Sequence, residues 1–210
     1  MNQLQFYRLL VIWNGAVPGL MLAWDASNET LGPNSVNAAL HITGILSLVF
    51  LFLSLFMTPL RWYTNWTGWI AFRRALGLYG FWYAMLHFGI YVTFDRALSL
   101  TSTLHEVGTR TYLQIGFAAL VLMIPLAVTS TNSMVRQLGA KRWRTLHRAA
   151  YVVPLLGVLH YFLLVKSDVR QPLAFAGVLA AILAARLVIP NRRTADNNHL
   201  GAGEKASPAI

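Results

Sequence analysis

Six apolar runs dominate this chain and leave it few ways to fold. They cover residues 9–24, 40–57, 75–94, 113–129, 149–165 and 172–189. Each is near the length a helix needs to cross a hydrocarbon core of about 30 Å. None has the alternation of a strand, and in lipid an open sheet would leave its backbone polar groups unpaired. The expected fold is all-α: a polytopic helical bundle with about six transmembrane helices, solvated by membrane lipids. Charged residues make up 11% of the chain, against about 25% in soluble domains. The first run is the weakest, interrupted by Asn14, Gly15, Pro18 and Gly19. No small-x-small cleavage pattern follows it, so it reads as an uncleaved first span.

The net charge of +10 would suggest nucleic acid in a soluble chain. Its placement argues for topology instead, with no nucleic-acid partner. The connection after run two carries Arg61, Arg73 and Arg74, and that after run four carries Arg136, Lys141, Arg142, Arg144 and Arg148. Arg8, Arg192, Arg193 and Lys205 fall on the same side, and only Arg96, Arg110, Lys166 and Arg170 on the other. The positive-inside rule then places both termini in the cytoplasm. Residues 1–190 read as one membrane domain and 191–210 as a polar, disordered cytoplasmic tail. Two outward connections, 25–39 and 95–112, are longer than turns. The basic inward connection, 130–148, is expected to open on a helix cap at Thr129–Thr131. Arg186, near the inner end of run six, is expected to snorkel toward the interface.

Four of the six histidines lie in or at the ends of these runs: His41, His87, His147 and His160. Imidazole is costly in a bilayer unless something binds it, and neutral imidazole is a good haem-iron ligand. His87 and His160 both fall roughly 8–10 Å below the outer surface at about 1.5 Å per residue, on spans that run the same way. This pair is the candidate axial set for one b-type haem. His147 lies about 20 Å deeper, where a second haem, an alternative ligand, or a flavin or quinone site is conceivable. The matching position on span three is Arg74, a poor iron ligand. His41 stands near the outer start of span two, with Gly44 one turn on, and could line a quinone pocket or a haem edge. Gly77, Gly80, Ala84 and Gly157 flank the paired histidines, as either a porphyrin gap or close helix packing requires. His105 and His199 read as solvated.

What is missing narrows the function. There is no cysteine, which excludes iron–sulfur clusters and thiolate-ligated haem. No run contains Asp or Glu, which argues against a proton pump or ion-coupled transporter. No P-loop, dinucleotide fingerprint, HExxH or nucleophile elbow is present. The residues support an electron carrier rather than a catalytic subunit. A haem-free scaffold or assembly factor, and a metal reductase working with a separate flavin reductase, are the rival readings.

Several segments carry a resemblance. Thr58-Pro-Leu-Arg61, Arg73-Arg-Ala-Leu-Gly-Leu78, Tyr83-Ala-Met-Leu-His-Phe88, Thr129-Ser-Thr-Asn-Ser-Met134, Leu138-Gly-Ala-Lys-Arg-Trp143, Leu146-His-Arg-Ala-Ala-Tyr151, Leu159-His-Tyr161 and Gln171-Pro-Leu173 resemble the MsrQ (YedZ) family of ferric-reductase-like membrane subunits. The resemblance spans about residues 5–190. It implies haem b in a bacterial inner membrane, held by His87, His147 and His160, with His41 as the family's second-span histidine. It also implies FMN, electrons from the membrane quinone pool, and a periplasmic molybdopterin-dependent catalytic subunit that reduces methionine sulfoxide in oxidised proteins. Two positions depart from the family pattern: Ile45 stands where an arginine is usual, and Thr111 where a proline is usual.

Overall fold

The computed structural model describes residues 3–204, all of its regular structure helical. The helices are α1 (Gln3–Ser27), α2 (Ser35–Thr64), α3 (Trp69–Ile90), α4 (Leu100–Thr109), α5 (Thr111–Val128), α6 (Asn132–Leu146), α7 (Ala149–Leu164) and α8 (Arg170–Glu204). α3 continues into a π-helical turn, Tyr91–Asp95. Five segments are long and apolar enough to cross a membrane: Gln5–Ser27, Ser35–Thr64, Trp69–Asp95, Thr111–Val128 and Arg170–Val188. The pair α6 and α7, with a 45° break between them, passes the same test only when taken together, as a broken span or a re-entrant loop. The chain is thus a multi-pass helical membrane protein, with large apolar side chains such as Leu20, Trp82, Leu155 and Leu187 exposed around the bundle for lipid to cover.

The helices outgrow the apolar runs because polar residues cap them. Asn34 accepts from the Asn37 N–H at 3.2 Å and starts α2. Thr131 accepts from the Met134 N–H at 3.2 Å and starts α6, where a cap was expected. Gly139 at φ 74° then breaks the line of α6, a conformation glycine adopts without Cβ strain. Connection 95–112 is not the loop it resembles in sequence. Ser99 caps a short helix, α4, by accepting from the Ser102 N–H at 3.2 Å. α8 passes through the apolar run and stays helical to Glu204.

α2 is the central element, packed against α1, α3, α7 and α8. One core cluster joins Leu48, Phe52 and Leu55 to Val158, Tyr161 and Leu179. A second joins Phe50 and Met57 to Phe72, Leu76 and Tyr83. Hydroxyls stitch α2 to α3: Ser47 donates to the Gly80 carbonyl and Ser54 to the Arg73 carbonyl, each at 2.9 Å. A Cβ at Gly80 would meet Leu51 at 2.8 Å, and one at Gly157 would meet Leu48 at 2.8 Å. Gly80 therefore serves helix packing, while Gly157 packs on Leu48 and also lines the cavity that His87 and His160 border.

Arg186 corrects the snorkelling expectation. Its guanidinium turns into the bundle, donating to the Leu55 carbonyl at 2.5 Å, Thr58 Oγ1 at 2.9 Å and the Tyr151 hydroxyl at 2.5 Å. Three oxygen acceptors offset the cost of withdrawing that charge from water, so the inward position beats the interface.

Tyr83 docks the weak first span. The Gly19 N–H donates to its hydroxyl and that hydroxyl donates to the Gly15 carbonyl, both at 2.9 Å. The phenol is thus inserted into the helical hydrogen-bond ladder of α1, beside Pro18, where the ladder is already interrupted. Tyr83→Phe lets Gly19 and Gly15 bond directly, so the expected loss is small, about 1 kcal/mol, from the lost cross-helix tie. A lowered detergent-unfolding midpoint without a change in oligomeric state is the measurement.

Candidate functional site

Four helices, α2, α3, α5 and α7, bring the His87 and His160 rings together. Their ring centroids are 6.3 Å apart and their planes stand at 87°. The equal depth inferred from residue counting is therefore a real juxtaposition.

Both rings are held the same way. His87 Nδ1 donates to the Leu40 carbonyl at 2.9 Å, and His160 Nδ1 donates to the Tyr112 carbonyl at 2.7 Å. A carbonyl only accepts, so Nδ1 carries the proton in each ring and Nε2 keeps its lone pair. In each case a glycine lies one turn beyond the accepting residue: Gly44 after Leu40 and Gly116 after Tyr112. A Cβ at Gly44 would sit 3.3 Å from His87 Cε1 and Nδ1. One at Gly116 would sit 2.7 Å from His160 Nδ1 and 2.9 Å from its Cε1. Each imidazole leans over a bare glycine backbone to reach a carbonyl. Gly116 was missed in the sequence. Its signal was present, a glycine in an otherwise apolar span at the depth of the paired histidines.

The rings border a cavity of about 370 Å³. Its inner lining is apolar, with Leu51, Leu120, Met123 and Val153, and its outer end is polar, with Asn37, Tyr91, Asp95, Arg96 and Tyr112. His41 lines the same cavity, 5.9 Å from the Tyr161 ring, so the structure brings three of the four singled-out histidines to one space.

His147 lies elsewhere. It caps α6 at the bend into α7 and stacks on Trp143 with centroids 3.9 Å apart. Thr129 Oγ1 donates to the Pro125 carbonyl at 2.6 Å, which leaves it to accept from His147 Nε2 at 3.1 Å. His147 therefore holds its proton on Nε2, the opposite tautomer to the paired histidines. Trp143 Nε1 also donates to the Thr129 carbonyl at 2.9 Å, and Arg74 donates to Asn132 Oδ1 at 2.7 Å. His105 is exposed, as expected, and the side chain of His199 is outside the described residues.

The donor set fits a metalloporphyrin. Two imidazoles sharing one metal through bonds of about 2.0–2.1 Å would place their ring centres about 6.4 Å apart, close to the spacing found here. Carbonyl-anchored Nδ1–H groups are the usual outer support of metal-bound histidine. Among the described residues, no group of three or more His, Cys, Asp or Glu is placed to hold a bare metal ion. Two nitrogen donors across an apolar cavity suit a metal that brings its own equatorial ligands.

The chain is similar to known membrane proteins over most of its length. The model of the family described as ferric reductase like transmembrane component matches residues 43–158, from α2 into α7. The chain is 46% identical over 163 residues to the protein-methionine-sulfoxide reductase heme-binding subunit MsrQ of Rhodospirillum rubrum, covering 78% of each chain. It is 45% identical to the protein of that name from Deinococcus radiodurans, over 87% of this chain and 90% of the relative. With that from Herminiimonas arsenicoxydans it shares 38% identity, over 94% and 92%.

Proposed function

The chain belongs to the MsrQ family of ferric-reductase-like transmembrane proteins, and from that membership and the facing imidazoles we propose that it is a membrane haem b electron-transfer subunit. The relatives are named as heme-binding subunits of a protein-methionine-sulfoxide reductase. By that likeness this chain passes electrons to a catalytic subunit that repairs methionine sulfoxide. That partner is a periplasmic molybdopterin-dependent enzyme in our reading, and the membrane is the bacterial inner membrane with both termini cytoplasmic. Residues 1–190 form the electron-carrying domain and 191–210 its cytoplasmic tail. The donor is the membrane quinone pool. FMN belongs to the proposal through the family resemblance alone, and no residue is assigned to it.

The observation that carries this reading is the His87–His160 pair, with both Nε2 lone pairs free and both Nδ1 protons committed to carbonyls. Haem b, when bound, supplies a one-electron iron couple whose potential is set by its axial ligands and surroundings. His87 and His160 would hold its iron through their Nε2 atoms. The Leu40 and Tyr112 carbonyls orient the two rings and fix their tautomer. The apolar inner lining keeps water from the site, and His41 and Tyr161 form one edge of it. A reduced-minus-oxidised spectrum with haem quantitation on the purified protein tests the reading. A sharp Soret band that moves on dithionite addition supports it, and a protein that purifies folded and colourless from haem-replete cells defeats it.

His147 has a lesser part at the inner end. Its Nε2 is engaged by Thr129, so as a ligand it would have to use Nδ1 or give up that bond. His147→Ala is expected to keep most of the haem while altering the potential of what remains, which potentiometric titration reads directly. The outer connections, 25–39 and 95–112, are the proposed docking face for the catalytic subunit. On that face α4 exposes Leu100 and Leu104. Crosslinks from the partner are expected there, and a crosslink map confined to the basic connection 130–148 contradicts it.

A further inference from the structure

Tyr91 stands one turn outward from His87, its N–H donating to the His87 carbonyl. Its hydroxyl oxygen is buried and has no hydrogen-bond partner among the described residues. A buried hydroxyl oxygen left unpaired costs free energy, and such an orphan in a folded protein calls for a ligand, a bound water or ion, or a strain account. Two further observations favour a ligand. Tyr91 lines the cavity that the paired histidines border, at its polar end. It also opens the π-helical turn Tyr91–Asp95, a local widening that recurs at functional sites.

The charged group over its ring is a cation, set in a cluster that also holds the Asp95 and Glu106 carboxylates. The Arg96 guanidinium lies over the Tyr91 ring, 5.3 Å from its centroid, and lines the same cavity. Arg96 pairs with Asp95 at 2.7 Å and, more loosely, with Glu106 at 3.5 Å. Glu106 is also held by Arg110. Arg96 can therefore turn from Glu106 without leaving that carboxylate unpaired. The rest of the cavity wall is mostly apolar, so an amphipathic ligand seated between the histidines has one favourable direction for its charged arms.

We propose that the Tyr91 hydroxyl, backed by the Arg96 guanidinium, binds a carboxylate arm of the group held between His87 and His160. The inference rests on the haem reading of that site, where the arm is a propionate. The hydroxyl donates to the carboxylate, and Arg96 supplies the opposing charge. Binding through both ends would fix the rotation of the macrocycle about the axis joining the two imidazoles, which histidine ligation alone leaves free.

The test is reconstitution of the full-length apoprotein with haem b and, separately, with its dimethyl ester, which cannot present a carboxylate. Wild type is expected to prefer the free acid by about tenfold or more, the worth of one hydrogen bond to a charged acceptor. Tyr91→Phe and Arg96→Gln each reduce that preference while retaining a two-imidazole Soret spectrum, and Tyr91→Phe shifts the propionate bending band in resonance Raman. Equal uptake of acid and ester by wild type overturns the proposal without recourse to any variant. So does Tyr91→Phe with undiminished preference and an unmoved propionate band. A wild-type protein that takes up neither porphyrin with a two-imidazole spectrum overturns the site reading itself, and this inference with it.

Discussion

His87→Ala and His160→Ala are each expected to strip the purified protein of most of the haem proposed for it. Outer-shell partners of metal-bound histidines typically contribute 10- to 100-fold to affinity, and loss of an axial ligand itself should exceed about 100-fold. Either change also opens space beside the remaining ring, whose partner lies 6.3 Å away by centroid. Water entering that gap further weakens what is left. The expected readout is haem per polypeptide near zero for both variants, with intact size-exclusion profiles. Any residual haem should show the spectrum of a site with one imidazole. If either variant retains stoichiometric haem with an unchanged reduced spectrum, these two histidines are not the ligand pair. The comparison with His147→Ala is informative because that side chain is also half-buried and also ends in a hydrogen bond, yet faces no second histidine.

Much of the bundle could be read before any coordinates. Apolar runs located the five segments long enough to cross and the apolar α7, because lipid demands an uninterrupted stretch of fixed length. The His87–His160 meeting was also legible, since residue counting along parallel helices gives depth. Three things were not. Connection 95–112 hid α4, because ten residues rich in Ser and Thr carry little local helical signal and the Ser99 cap is decisive only in context. Arg186 was assigned to the interface, because sequence gives its height but not the three acceptors waiting inside the bundle. The glycines were ambiguous in kind. Gly80 and Gly157 answer to Leu51 and Leu48 on α2, whereas Gly44 and Gly116 answer to the imidazoles. Spacing along one helix cannot separate those roles, because the deciding atom belongs to another helix.

Gly116→Ala is the sharper consequence, because it leaves both imidazoles in the chain. The added methyl would stand 2.7 Å from His160 Nδ1, 2.9 Å from Cε1 and 3.1 Å from Cγ. It meets the Nδ1 side of the ring, the side that carries the bond to the Tyr112 carbonyl. His160 must withdraw, and its 2.7 Å bond to the Tyr112 carbonyl goes with it. That bond fixes the tautomer, so its loss also lets the proton move to the nitrogen that should bind iron. The expected outcome is a fall in haem affinity of roughly 10- to 100-fold, the range seen when an outer-shell partner is removed. Gly44→Ala is the graded companion. Its methyl would reach only 3.3 Å from His87, a distance a small shift of the ring relieves, so it should cost far less haem. Gly157→Ala meets instead the flexible end of Leu48 and should lower stability while leaving the ligand spectrum unchanged. Haem titration of the three variants, beside their unfolding midpoints, separates a strained ligand from a strained helix contact. Should Gly116→Ala bind haem as tightly as wild type, His160 is not held in place by its approach to the Tyr112 carbonyl over a bare backbone.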